Sequence, residues 1–270
     1  MTQKTDRTTR AARAFFPGGH AGTAIIIVVA VLAYELATDV FGLLDRMLFP
    51  GFSRILPALF DSLPHLLESF CSSMALLVPG YLAGAVSGIV LGLLIGLNPG
   101  LNRAFRPIIF ALSPIPPSML TPYLIAVLPT FYLSSTAVIF VGCFWPFLSG
   151  TINGIALIDR KYLDNAKVLE LTGARKLFLV ILPAAAPLIL AGAGTALTFS
   201  FILLTVAEMF AVDSGMGHFI QYYADFSDYA RVLAGLLFST TVFVTIMLLY
   251  DRLKKKLLFW MLNDETRTKP

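Results

Sequence analysis

Three carboxylates stand in or beside strongly apolar stretches of this chain, and they are the first residues whose chemistry needs an account: Glu35, Asp39 and Glu208. An ionisable side chain at membrane depth is costly, which points to a gate or a solute contact; the plainer reading is a group that snorkels or pairs with a neighbouring helix. Both readings stand for all three. Catalytic patterns are missing elsewhere. His20, His65 and His218 fall on separate segments, Cys71 and Cys143 have no CxxC spacing, and neither HExxH nor GxxxxGK[ST] occurs. The cysteines read as small buried apolar residues. The sequence therefore predicts no catalytic residue, no metal site and no ATP hydrolysis by this chain itself. An intramembrane enzyme would need convergent His, Asp or Ser groups at matching depth, and no such set is visible.

Two further patterns shape backbone rather than chemistry. Ser113-Pro114-Ile115-Pro116-Pro117-Ser118-Met119-Leu120-Thr121-Pro122 places four prolines in nine residues, which removes backbone donors and breaks a helix. Irregular backbone at membrane depth is tolerated where it is buried in protein or faces a watery cavity. Ser113, Pro116, Ser118 and Met119, with Thr205 and Glu208, are accordingly the candidates for lining a translocation path; a purely structural kink is the alternative. Gly80, Gly84, Gly88, Gly92 and Gly96 recur every four residues, a small-residue stripe that lets another backbone approach. Packing within the subunit and a role at a subunit interface or in helix sliding both fit it.

The elements that must hold these residues are membrane helices. Of the 270 residues 57% are hydrophobic and 13% charged, with a mean hydropathy of +0.80, outside the range of soluble domains. Windows long enough to cross about 30 Å of hydrocarbon lie near Ala24–Leu44, Met74–Leu97, Pro107–Leu128, Ser135–Ile155, Pro187–Val212 and Val232–Tyr250. The first also resembles a signal peptide, with Arg7, Arg10 and Arg13 before it, but is read as a retained helix because it is long and no small-x-small cleavage site follows. With the N-terminus inside, 17 of the 20 Lys and Arg fall on cytoplasmic segments, so both termini are expected there. The net charge of +4 then reflects topology and the anionic inner leaflet, not nucleic acid. The expected organisation is an all-α membrane protein: a cytoplasmic tail over 1–20, a six-helix domain over 21–252 with a long cytoplasmic loop near 156–186, and a basic tail over 253–270. Leu63, Leu66, Leu67 and Phe70 predict an amphipathic lead-in to the second span.

In the long loop, Lys161 to Leu171 reads as a short helix with Tyr162, Ala166 and Leu169 on one face and Asp164, Lys167 and Glu170 on the other. Such a helix suits docking on a soluble partner; lying in the lipid interface is the alternative. Asp164-Asn165-Ala166-Lys167, Leu177-Phe178 and Val180-Ile181-Leu182-Pro183-Ala184-Ala185 resemble the EAA loop of bacterial binding-protein-dependent ABC importer permeases. Tyr34-Glu35-Leu36, Leu48-Phe49-Pro50, Pro114-Ile115-Pro116-Pro117 with Pro122, Glu208 followed by Ser214-Gly215-Met216-Gly217, and Asp251-Arg252 with Trp260 resemble the nitrate/sulfonate/taurine-type branch. The likeness covers about Tyr34 to Trp260. It departs from the pattern at Asp164-Asn165, at Glu170 where the family has glycine, and in lacking arginines early in the second span and before the proline segment.

The resemblance implies a homodimeric permease in the inner membrane, two ATPase subunits that hold ATP and Mg, and an extracytoplasmic binding protein delivering a small solute. Tyr162, Asp164, Ala166, Lys167, Leu169, Glu170 and Gly173 would couple the ATPases to the spans. The solute would be nitrate-, taurine- or sulfonate-like, or a vitamin precursor. The alternative is a gradient-driven secondary transporter or channel, which usually shows two repeated halves with paired broken helices; one proline segment and no repeat speak against it. A structural scaffold explains the loop helix poorly.

Overall fold

The computed structural model describes residues 20–211 and 213–260, and every regular element among them is helical. The expected N-terminal tail, apart from His20, and residues 261–270 of the expected C-terminal tail lie outside the described residues. Helix α1 (His20–Glu35) continues into a π-helical turn, Leu36–Val40. Its stretch long and apolar enough to cross a membrane is Gly22–Asp39, shifted towards the N-terminus from the expected window because the chain turns at Gly42, in the left-handed region (φ +58°). Glu35 thus sits near the end of the span, not its middle.

Helix α2 (Phe52–Leu97) has 46 residues, about 69 Å at 1.5 Å per residue, more than twice the hydrocarbon thickness. The expected lead-in and second span are therefore one continuous helix, which Pro57, Pro64 and Pro79 do not divide. Its first part is two-faced. Arg54, Asp61 and Glu68, seven residues apart, are exposed, while Ile55, Ser62, Leu66 and Ser69 are buried.

The second part of α2 lies against α5 (Phe131–Ala156), and the glycines set the distance. A Cβ on Gly80, Gly84, Gly88, Gly92 or Gly96 would come within 2.6–2.9 Å of Ile139, Cys143, Phe147, Thr151 or Ile155 respectively. Further along the same helix, a Cβ on Gly150 would meet the Leu188 carbonyl and one on Gly154 the Ala185 carbonyl, each at 2.9 Å; both carbonyls belong to α8 (Leu182–Ala211). Helix α5 is therefore the central member, clasped by α2 and α8 through near-backbone contact. Leu76, Val138, Ile139, Phe147, Ala196 and Leu204 close the core there.

Between α2 and α5 runs the broken third span: α3 (Pro99–Leu112), a 3₁₀ turn (Pro117–Leu120) and α4 (Thr121–Val127), with α3 and α4 at 78°. The prolines interrupt the helix as expected. After α5 come α6 (Arg160–Val168), the single turn α7 (Gly173–Lys176), a π-helical turn (Leu177–Ile181) leading into α8, then α9 (Met216–Asp225) and α10 (Tyr229–Leu257). Among the described residues five helices are long and apolar enough to cross a membrane, or six counting the bent pair as one. Helix α10 runs five residues past the expected boundary at 252.

Candidate functional site

The loop helix α6 is built from its two ends inward. Asp159 caps its start, its carboxylate accepting from the Lys161 amide at 3.0 Å. At its end the Leu171 amide donates to the Ala166 carbonyl (2.9 Å) and the Glu170 amide to the Lys167 carbonyl (3.0 Å). This paired closure puts the residue just past the helix in the left-handed region, which favours glycine. Glu170 occupies it at φ +52°. Gly173 is also left-handed, at φ +53°, so two turns reverse the chain where the family pattern suggested one.

Its faces differ from the simple two-sided reading. Ala166 is buried, whereas Tyr162, Val168 and Leu169 are 57%, 82% and 68% exposed. Asp164 and Lys167 pair at 2.7 Å on the surface, and that hydrogen bond, with the lysine charge, holds the Asp164 carboxyl below its ordinary pKa. Tyr162, Ala166 and Leu169 border a cavity of about 1010 Å³ whose other walls include Pro183 of α8, Lys254 of α10 and Trp260. The helix is thus pinned through Ala166 and leaves its apolar tip exposed.

The pathway candidates divide into two groups. Ser113, Pro116 and Met119 are exposed at the break, with Ser118 half-buried, and Pro117 reaches inward to lie near Gly142 beside Leu203. Thr205 is half-buried and donates to the Phe201 carbonyl (3.0 Å). Glu208 is 1% exposed, held under the turn that starts α9, where its carboxylate accepts from the Gly217 amide at 2.8 Å. The Met216 amide donates to Ser73 Oγ (2.9 Å) and the Ser72 and Ser214 hydroxyls bond at 2.6 Å. A Cβ at Gly215 (φ +122°) would strike the Glu208 carboxylate. Three hydrogen bonds therefore clip the 214–217 turn onto α2 and α8.

Glu35 and Asp39 act on the start of α2. Glu35 Oε2 accepts from the Phe52 amide (3.0 Å), Asp39 Oδ2 from the Ser53 hydroxyl (3.0 Å), and Tyr34 donates to the Pro50 carbonyl (2.9 Å). Carboxylates at a helix N-terminus satisfy orphan amides and complement its dipole. Sequence reading missed Ser72, Ser73 and the polar wall around Arg106. The hydroxyl pair was hidden because serine in an apolar helix bonds its own backbone as readily as another segment. Arg106 was counted only as a topological charge; its cavity, about 330 Å³, is lined also by Asn102, Ser113, Ser149 and Asn153.

A family model described as "Binding-protein-dependent transport system inner membrane component" matches residues 88–259. Among relatives, SsuC of Bacillus subtilis (strain 168), a permease protein named for aliphatic sulfonates transport, is 34% identical over 158 residues, 57% of this chain and 56% of that protein. The nitrate import permease protein NrtB of Synechococcus elongatus is 30% identical over 148 residues, 55% and 53% of the two chains. The chain thus spans about half the length of these two relatives. A protein of Brucella abortus (strain 2308), named a probable ABC transporter permease protein, is 26% identical over 207 residues, 76% of this chain and 77% of its own.

Proposed function

We propose a function from the premise that this chain belongs to the binding-protein-dependent transport system inner membrane component family, whose model covers more than half of it. The chain is a multi-pass protein of the cytoplasmic membrane. Its role is the membrane-spanning permease of an ATP-driven importer for a small sulfonate- or nitrate-like solute, the cargo for which SsuC and NrtB are named. Two copies form the path, two ATPase subunits dock on the α6 side, and an extracytoplasmic binding protein meets the opposite side. Both termini then face the cytoplasm, in keeping with the distribution of Lys and Arg.

The observation that carries this reading is the mounting of α6. Its tip is apolar and exposed, and its root is fixed by buried Ala166. Beyond the Gly173 turn the chain runs through Leu177–Ile181 into α8 without leaving helical geometry. A displacement of α6 by a docked partner is therefore passed to a helix that grips the central α5. ATP, with Mg, binds the closed ATPase pair more tightly than the open one, and that difference biases a two-state rearrangement of the spans.

The test is affinity purification of the tagged full chain from detergent-solubilised native membranes, followed by native mass spectrometry. Two permease copies with two ATPase subunits are expected. A stable chain free of any ATPase would overturn the reading and favour a gradient-driven transporter.

A further inference from the structure

We infer that the cavity between α3 and α5 is an oxyanion-binding site with Arg106 as its cation, serving anions on the coupling-loop half of the membrane domain. The inference rests on the transport reading for its place in the cycle, though the site itself rests on geometry. The wall combines one guanidinium with the side-chain amides of Asn102 and Asn153 and the hydroxyls of Ser113 and Ser149. No carboxylate lines it. Among the described residues Arg106 forms no ion pair and no side-chain hydrogen bond, whereas Arg103, one turn earlier, donates to the Pro99 carbonyl. Arg106 is itself exposed, as are Ser113 and Asn153, so the guanidinium stands at an open cavity mouth that an anion can enter.

Location adds to the chemistry. Helix α3 starts at the Asn98 cap, whose side chain accepts from the Gly100 and Leu101 amides, directly after the end of α2, which lies beside the end of α5 that leads to the α6 loop. Arg106 lies two turns further in, and Ser113 ends the helix at the proline break. The cavity therefore runs from the loop end of the domain to the kink. At about 330 Å³ it is at the small end of ligand pockets. Phe110 and neighbouring apolar groups form the rest of its wall, so the fitting ligand has a singly charged oxyanion head and a short apolar body. A guanidinium presents a planar fork of donors that matches sulfonate, nitrate or phosphate oxygens. That chemistry belongs equally to a passing solute and to a phospholipid headgroup.

The experiment uses the full chain, purified with whatever subunits accompany it, in phosphatidylcholine nanodiscs. Butanesulfonate is titrated while thermal unfolding is followed, with butanol as the uncharged control. In parallel, native mass spectrometry counts phosphatidylglycerol retained from mixed-lipid discs. Ligand binding to the folded state raises the unfolding midpoint, with a stabilisation that grows as the logarithm of one plus the ratio of free ligand to its dissociation constant. The wild type is expected to be stabilised by butanesulfonate but not by butanol; Arg106→Gln should need at least tenfold more sulfonate, and Arg106→Lys should fall between. Phosphatidylglycerol retention that depends on Arg106, without a sulfonate shift, would assign the same oxyanion site to lipid. Responses identical in wild type and Arg106→Gln for both probes would overturn it. Should Arg106→Gln unfold on its own, Asn153→Ala and Ser149→Ala supply the comparison. A chain that retains an ATPase yet shows no Arg106-dependent anion loses the site and keeps the importer reading; the reverse result keeps the site and loses the importer.

Discussion

Glu170 holds a backbone conformation that costs an L-residue about 1–2 kcal/mol relative to glycine, because its φ is +52° at the closure of α6. Glu170→Gly is expected to stabilise the loop by about 1 kcal/mol, seen as slower hydrogen exchange of the Leu171 amide. Gly173 has the same sign of φ and open space where a Cβ would stand. Gly173→Ala should therefore cost about 1 kcal/mol through backbone strain alone, with the opposite exchange response. At the other end, Glu208→Gln keeps an acceptor for the Gly217 amide, whereas Glu208→Ala leaves that buried donor unpaired and a cavity beside it. The alanine variant should lower stability by about 2–4 kcal/mol in thermal unfolding, the glutamine variant by much less. The missing glycine at 170 was legible in the sequence. That both 170 and 173 take the left-handed turn was not, because the hydrogen bonds that require it lie between main-chain groups.

At the scale of elements, the four-residue glycine period announced a close backbone approach without saying to what, since a stripe carries no mark of its partner. The partner is α5, and the spacing is tight enough to test. Gly84→Ala brings a methyl to 2.7 Å of the Cys143 Cβ, and Gly88→Ala to the same distance from that of Phe147. Each should cost about 1–3 kcal/mol by thermal unfolding, while Gly100→Ala at the start of α3, where the nearest atom is the Asn98 side-chain oxygen at 3.2 Å, should be near neutral. The length of α2 was less legible. Pro57 and Pro64 would ordinarily end a helix, yet both sit exposed in a continuous one whose other face is packed on α9 and α10: Leu66 meets Phe219 and Ile220, with Leu59, Val232 and Phe238 around them. Tertiary burial outweighed local propensity there.

For the molecule as a whole, apolar windows were enough to count spans, because membrane crossing constrains length and hydropathy more than packing does. Cys143 is buried as expected but Cys71 is exposed, and it lies about 39 Å along α2 from Leu97 at 1.5 Å per residue, more than the hydrocarbon thickness of about 30 Å, so the proposed topology puts it outside the membrane on the side away from α6. An impermeant maleimide should label Cys71 in intact spheroplasts and reach Leu157→Cys, at the end of α5, only after lysis; the reverse order would invert the proposed orientation. The most direct measurement of the central claim is photo-crosslinking in cells, with a photoreactive residue in place of exposed Leu169 on α6 or exposed Phe60 on the far end of α2. Position 169 is expected to capture an ATPase subunit and position 60 none. Absence of an ATPase adduct at 169, or equal capture at both positions, would contradict the coupling role of α6 and with it the importer account.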